Sequence, residues 1–244
     1  MFFTEASINL ADDPELLDLM VTAGFDSVFI GIESPDEVSL TECHKTQNKN
    51  RNLLESVATI HRSGLQVMGG FIVGFDSDMP SIFQRQIDFI QKSGIVTAMV
   101  GMLQAPPGTR LYDRLARESR VANTFSGDNV DGTTNIIPRM GMERLLDGYQ
   151  SIMKQIYSPR NYYRRVKTLL EELKAPEIDQ PINIQRFISF FRSAFRLGVL
   201  GKERFHYWQL MLWTLIRRPR LIPVAITLSI YGYHYRRICE LYIY

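Results

Sequence analysis

Two patterns alternate along the first hundred residues. Short, continuous apolar runs lie at Val28–Ile32, Val67–Val73 and Ala98–Leu103. Runs of that kind suit strands covered on both faces. Each follows a small residue and a glycine, at Ala23-Gly24, Ser63-Gly64 and Ser93-Gly94, and glycine fits the left-handed position that closes a helix. Between the runs, apolar side chains recur at helical spacing. Leu16, Leu17, Met20 and Val21 share a face after Asp12-Asp13-Pro14, an acid before a first-turn proline. Leu53, Leu54, Val57, Ala58 and His61 form a second stripe with Ile60 beside it, and Ile82, Phe83, Ile87, Phe89 and Ile90 a third. Strands alternating with helices predict βαβ units and a parallel sheet, hence an α/β fold. With Phe2–Ser7 as a first strand the sheet has four members in chain order. Its edge is open and the chain starts on a strand, so it is expected to begin inside a fold.

The grammar changes after Gln104. Ala105-Pro106-Pro107-Gly108-Thr109 is a rigid turn. A helix is predicted over Arg110–Glu118 and a long polar loop over Asn123–Asn135. Helical periodicity then covers Met142–Ile156 and Pro159–Lys174, a linker spans Ala175–Pro181, and three helices follow at Asn183–Leu197, Lys202–Ile216 and Leu221–Leu241. The most apolar stretches, Tyr207–Ile216 and Leu221–Tyr235, flank Arg217-Arg218-Pro219-Arg220. Neither reaches the roughly 20 residues of a spanning helix. A buried helix pair is the first reading and an interfacial hairpin the second.

Composition adds limits. The 244 residues are 45% hydrophobic with a net charge of +2, so bulk charge names no partner. Its distribution is uneven: residues 1–45 hold ten acids and one basic residue, Lys45, whereas residues 180–244 hold ten Arg or Lys and only Glu203 and Glu240. The basic residues are interleaved with apolar runs, which favours a solvated or docked face, with weak membrane-surface contact as the alternative and no nucleic acid expected. Cys43 and Cys239 are the two cysteines. They imply no disulfide framework, a reducing and cytoplasmic setting, and too few thiolates for an iron–sulfur cluster. No leader peptide is visible at the start. All four histidines read as packing residues: His61 lies on an apolar helical stripe, His206 and His234 lie among tail aromatics, and His44 beside Cys43 is no metal pair, since neighbours on a helix diverge.

Polar and glycine residues follow each strand: Glu5 and Ser7, then Glu33-Ser34-Pro35, then Gly74-Phe75-Asp76, then Gln104. Parallel sheets bind small molecules at that end. The order Gly31-Ile32-Glu33-Ser34, Lys45-Thr46-Gln47-Asn48, Gly70-Phe71-Ile72-Val73-Gly74-Phe75-Asp76 resembles radical S-adenosylmethionine enzymes. The runs Ala105–Tyr112, Ile156-Tyr157-Ser158-Pro159 and Tyr162-Tyr163 are similar to the branch whose longer members carry a cobalamin-binding domain.

The resemblance implies the second half of a parallel (β/α) barrel followed by an all-α region. It also implies S-adenosylmethionine, a 4Fe–4S cluster and, in longer members, cobalamin. The cluster cysteines of that family are absent from this sequence, so a preceding half or a partner chain would supply them. Residue roles carry over by position. Glu33 and Ser34 would lie beside the ribose and amino-acid part of the cofactor, with a loop-opening acid as the plain alternative for Glu33. Gly69, Gly70 and Gly74 would admit the adenine or serve packing. Asp76 would bind the adenosine or, slightly preferred, cap the next helix. Glu5 and Ser7 would face cofactor or substrate, or be strand-end polar residues. Lys45 would pair with the cofactor carboxylate or be a solvated helix-end lysine.

The expected organisation is a partial barrel over 1–109, a helical extension over 110–174 and a basic, aromatic-rich tail over 182–244. The expected function is radical methyl transfer or another C–H modification of a small or lipid-like substrate in the full-length enzyme. A non-catalytic scaffold derived from the same fold is the alternative.

Overall fold

Four strands, β1 (Phe2–Ala6), β2 (Phe25–Glu33), β3 (Gln66–Val73) and β4 (Ala98–Met102), form one parallel sheet in chain order. This computed structural model describes residues 2–122, 124–127, 132–175 and 184–243. Helices α1 (Pro14–Thr22), α2 (Glu37–Glu42), α3 (Leu53–Ser63) and α4 (Ile82–Ser93) come between the strands. The Asp13 carboxylate accepts the Leu16 N–H at 2.9 Å, satisfying an orphan donor at the start of α1. Gly64 and Gly94, at φ +113° and +72°, close α3 and α4 in the left-handed region that glycine enters without a Cβ clash.

Side chains alternate across the sheet. Val28, Ile30, Ile32, Val67, Phe71, Val73 and Val100 are buried on one face, where α1, α3 and a later helix pack. The runs predicted cover on both faces, and here the structure differs. On the opposite face Phe29, Met68 and Gly70 are only half-buried, Phe3 is exposed and Met99 is 43% exposed. That open side of a parallel sheet, with helices behind it, is consistent with a partial barrel.

The second half is helical, as its periodicity predicts. After α5 (Arg110–Arg117) come α6 (Met142–Ile156), α7 (Pro159–Glu172), α8 (Ile184–Gly198), α9 (Arg204–Arg217) and α10 (Ile222–Tyr242). One apolar core runs from Ile8 through Val100 and Tyr149 to Cys239, so α6 to α10 continue the layer behind the sheet, while Leu115 of α5 packs in a second cluster with Phe75, Leu103, Ala105 and Ile136. Arg165 is fully buried, and no carboxylate among the described residues pairs with it. It donates to the Ile156 carbonyl at 2.8 Å and stacks near the Tyr157 and Tyr162 rings, at 5.8 and 5.3 Å. Carbonyl dipoles and ring faces thus stand in for a counter-ion.

Between α5 and α6 the predicted loop is pinned at both ends. Val121 and Ile136 form an antiparallel bridge. Asn135 accepts the Ala105 N–H and donates to the Ala105 carbonyl, each at 2.8 Å. Residues 123 and 128–131 of that loop, and 176–181 of the predicted linker, lie outside the described residues.

Close approach of α4 and α6 depends on Gly148. A Cβ there would lie 2.3 Å from the Phe83 ring. Gly148→Ala is therefore expected to lower stability by about 1–3 kcal/mol through overpacking. Urea unfolding followed by circular dichroism measures this, and an unchanged midpoint would show that Phe83 can swing aside freely.

Candidate functional site

The C-terminal ends of the strands form a rim, and its centre is the end of β2. The ladder register shifts between Gly31 and Glu33, which leaves strand carbonyls to be satisfied otherwise. Asn48, fully buried, donates its amide to the Gly31 and Ile32 carbonyls at 3.1 and 2.9 Å. Beyond this irregularity Glu33 has φ +64°, a conformation that costs a non-glycine residue about 1–3 kcal/mol. It folds the Glu33 carboxylate back over Gly31, where Lys45 meets it at 2.9 Å. A Cβ on Gly31 would lie 2.4 Å from Glu33 Oε1 and 2.8 Å from Lys45 Nζ. The absent side chain is thus what seats the ion pair on the open face. The Glu33 and Lys45 side chains are 18% and 26% exposed, within reach of solvent.

The other predicted residues divide into two groups. Ser7 directly follows β1, and its buried hydroxyl has no hydrogen-bond partner. Glu5 is exposed, and its Cα pairs with that of Phe29 on the open side. Gly70 pairs with Gly31 across the ladder, and the Phe29 ring would lie 2.8 Å from a Cβ there. These residues share the open face with Glu33 and Lys45. Gly69 lies on the helix-covered face against Phe71 and Ile95. Ser34 is fully buried, and its hydroxyl accepts the Asp36 N–H at 3.2 Å, which shapes the entry to α2. Gly74, at φ +104°, donates its N–H to Asp78 at 2.8 Å and is covered by Leu145.

The capping reading of Asp76 requires a correction: α4 starts after Ser81, and no side chain caps it. Arg120 grips Asp76 through Oδ1 at 2.5 Å and Oδ2 at 2.9 Å, Arg114 holds Oδ2 at 2.9 Å, and Arg139 stands at 3.6 Å. The Arg120 hydrogen bond, ahead of the other contacts, holds this carboxyl below the usual range. The turn-forming acid is instead Asp78, which accepts from Gly74, Phe75 and the Ser39 hydroxyl at 2.8, 3.1 and 2.7 Å. Burial pushes its carboxyl up. Glu42 completes the cluster by accepting the Asp76 and Ser77 N–H groups at 3.0 and 2.9 Å. The cluster clamps the segment after β4 onto the rim of β3. Sequence reasoning missed Glu42, Arg114 and Arg120, whose partners lie 34 to 44 residues away.

A carboxylate and an ammonium side by side on an open strand rim can bind a zwitterion, accepting from its amine and donating to its carboxylate. A shallow depression of about 500 Å³ lies further along the same end, lined by Pro107, Tyr112, Ala122, Thr124, Phe125 and Asn135. Burial pushes the Cys43 thiol up and the Cys239 thiol up to about 12, so both are neutral at ordinary pH. Among the described residues no three His, Cys, Asp or Glu side chains gather as metal ligands.

A four-stranded parallel α/β sheet, consistent with a partial barrel and continued by a helical layer, is the class of structure that the fold defines. Residues 109–243 match the domain of unknown function DUF4070. The chain belongs to that family, and with it to the cobalamin-associated branch of the radical S-adenosylmethionine proteins, whose C-terminal part it resembles. It is similar to an uncharacterized methyltransferase of Synechocystis sp., with 36% identity over 98% of this chain and 46% of the relative. The hopanoid C-2 methylase of Rhodopseudomonas palustris is 31% identical over 87% of this chain and 41% of its own length. The bacteriochlorophyllide d C-12(1)-methyltransferase of Chlorobaculum tepidum is 26% identical over 78% and 39% respectively. The chain thus spans less than half the length of each of these methyltransferases.

Proposed function

We propose that this chain supplies the S-adenosylmethionine rim of a radical methyltransferase that modifies an unactivated carbon of a small or lipid-like substrate. The carrying observation is the Glu33–Lys45 pair seated over Gly31 at the end of β2. Three methyltransferase relatives, each at least 26% identical, support the reaction class. S-adenosylmethionine, when bound here, would supply a 5′-deoxyadenosyl group on one-electron reduction, leaving methionine, and the methyl group would come from a second equivalent. Glu33 would accept from the ammonium of the bound cofactor and Lys45 would donate to its carboxylate. Asn48 holds the strand end that carries Glu33, and the Asp76 cluster holds the rim beside it. A substrate would be met by Tyr112 and Phe125 in the neighbouring depression.

With two cysteines in the sequence, the cluster thiolates would come from outside these residues. Two unpaired cysteines suit a reducing, cytoplasmic setting.

S-adenosylhomocysteine tests the rim without any redox chemistry. By isothermal titration the chain is expected to bind it, and Glu33→Gln and Lys45→Met are each expected to weaken binding about tenfold, the loss of one charge-assisted hydrogen bond. Unchanged affinity in both variants would remove the pair from the site. A folded chain that does not bind at all would favour the scaffold alternative.

A further inference from the structure

The tail holds a surface that the cofactor rim does not use. Five of the exposed large apolar side chains lie on α9: Phe205 is 74% exposed, Trp208 47%, Leu212 60%, Leu215 57% and Ile216 67%. Their spacing of three, four, three and one places them on one helical face. The opposite face, Tyr207, Leu210, Met211 and Thr214, is buried against the neighbouring helices. A helix apolar on both sides is ordinarily buried, yet this one presents a strip about 16 Å long to the outside, from the 1.5 Å rise per residue.

Basic residues stand at both ends of the strip. Lys202 and Arg204 are exposed at its start, the Arg204 guanidinium lying 5.1 Å from the Phe205 ring centre. Arg217 and Arg220 are exposed at its end. Arg218 is turned inward onto carbonyls of α7 and the residue after it, Glu171 and Leu173. The tail's two acids offer no counter-charge. Glu203 is buried on Arg236, and Glu240 pairs with Arg237 at 2.9 Å.

We propose that the outer face of α9 lies flat on an anionic lipid surface. The five apolar side chains would enter the acyl boundary, and the four cations would meet headgroup phosphates at either end. A second copy of the chain fits the strip poorly. Pairing in either direction sets one basic end against another, and like charges repel. No helix among the described residues is long and apolar enough to cross a membrane, so the contact lies along the surface.

The test is sedimentation of the 244-residue chain with vesicles. Binding is expected to vesicles containing phosphatidylglycerol at low salt, and to be weaker by about tenfold or more on pure phosphatidylcholine or at high salt. Lys202→Glu with Arg204→Glu changes only exposed charges and is expected to cost roughly fivefold per residue. Leu212→Ser with Leu215→Ser, checked for folding by circular dichroism, is expected to cost about tenfold or more. In a Trp213→Phe background Trp208 is the sole tryptophan, and its emission is expected to shift to the blue on vesicles. Three results would overturn the proposal: no binding to anionic vesicles at low salt, self-association that the leucine variant abolishes, or equal binding to a soluble acidic polypeptide with no shift of Trp208.

Discussion

Arg236→Met is expected to destabilise the protein by about 3–5 kcal/mol, the usual cost of leaving a buried charge without its partner. Glu203 is 1% exposed, and Arg236 bridges both its carboxylate oxygens from one nitrogen at 2.8 Å each. The pair joins the start of α9 to the middle of α10, so its loss loosens the corner that orients the outer strip of α9. Removing both charges together, as in Glu203→Leu with Arg236→Met, is expected to cost far less, because no ion is then stranded. Urea unfolding of both variants measures the difference. A single variant that loses less than about 1 kcal/mol would show that Glu203 is solvated after all.

The helices were legible because each buries one face. The periods over Met142–Ile156 and Pro159–Lys174 place α6 at its observed ends and α7 within two residues. Local signals carried the starts as well, since Asp13 and Pro14 act within one turn. Helix α2 was not legible. Six residues with Leu40 and Ser39 buried are too short to show a period. The open sheet face was misread for a related reason. Phe29, Met68 and Met99 are apolar although helices cover only the other side, so the runs look continuous.

At the site, residue type was legible and backbone geometry was not. Glu33 stood out as a polar residue at a strand end, but its left-handed backbone depends on the register shift that Asn48 repairs, a contact 16 residues away. Ser34 has the same chemistry on paper, and one turn of backbone hides its hydroxyl. Asp76 and Asp78 are nearly interchangeable in sequence. Only the fold brings Arg114 and Arg120 to one of them and Ser39 to the other.

His61 is expected to make the protein acid-sensitive well above the range in which carboxylates titrate. Its ring is fully buried on α3, and neither nitrogen has a hydrogen-bond partner. Burial alone drives its pKa from 6.5 down to about 3. The folded state therefore keeps the ring neutral between these values, while the unfolded state takes up a proton. Stability from this group is fully present above its unfolded pKa and falls as the pH drops towards 3, by about 1.4 kcal/mol per pH unit. Between pH 7 and pH 5 the expected loss is about 2 kcal/mol. Asp78, raised by burial, pushes the other way at lower pH, and Asp76, lowered by Arg120, adds a loss there. The comparison that isolates the ring is His61→Leu, close in volume and without a titrating group. Its unfolding free energy is expected to stay flatter from pH 7 to pH 5 than that of the parent, with the two curves diverging below about pH 6.5. Parallel curves would show that water or a protein group reaches the ring in the folded state.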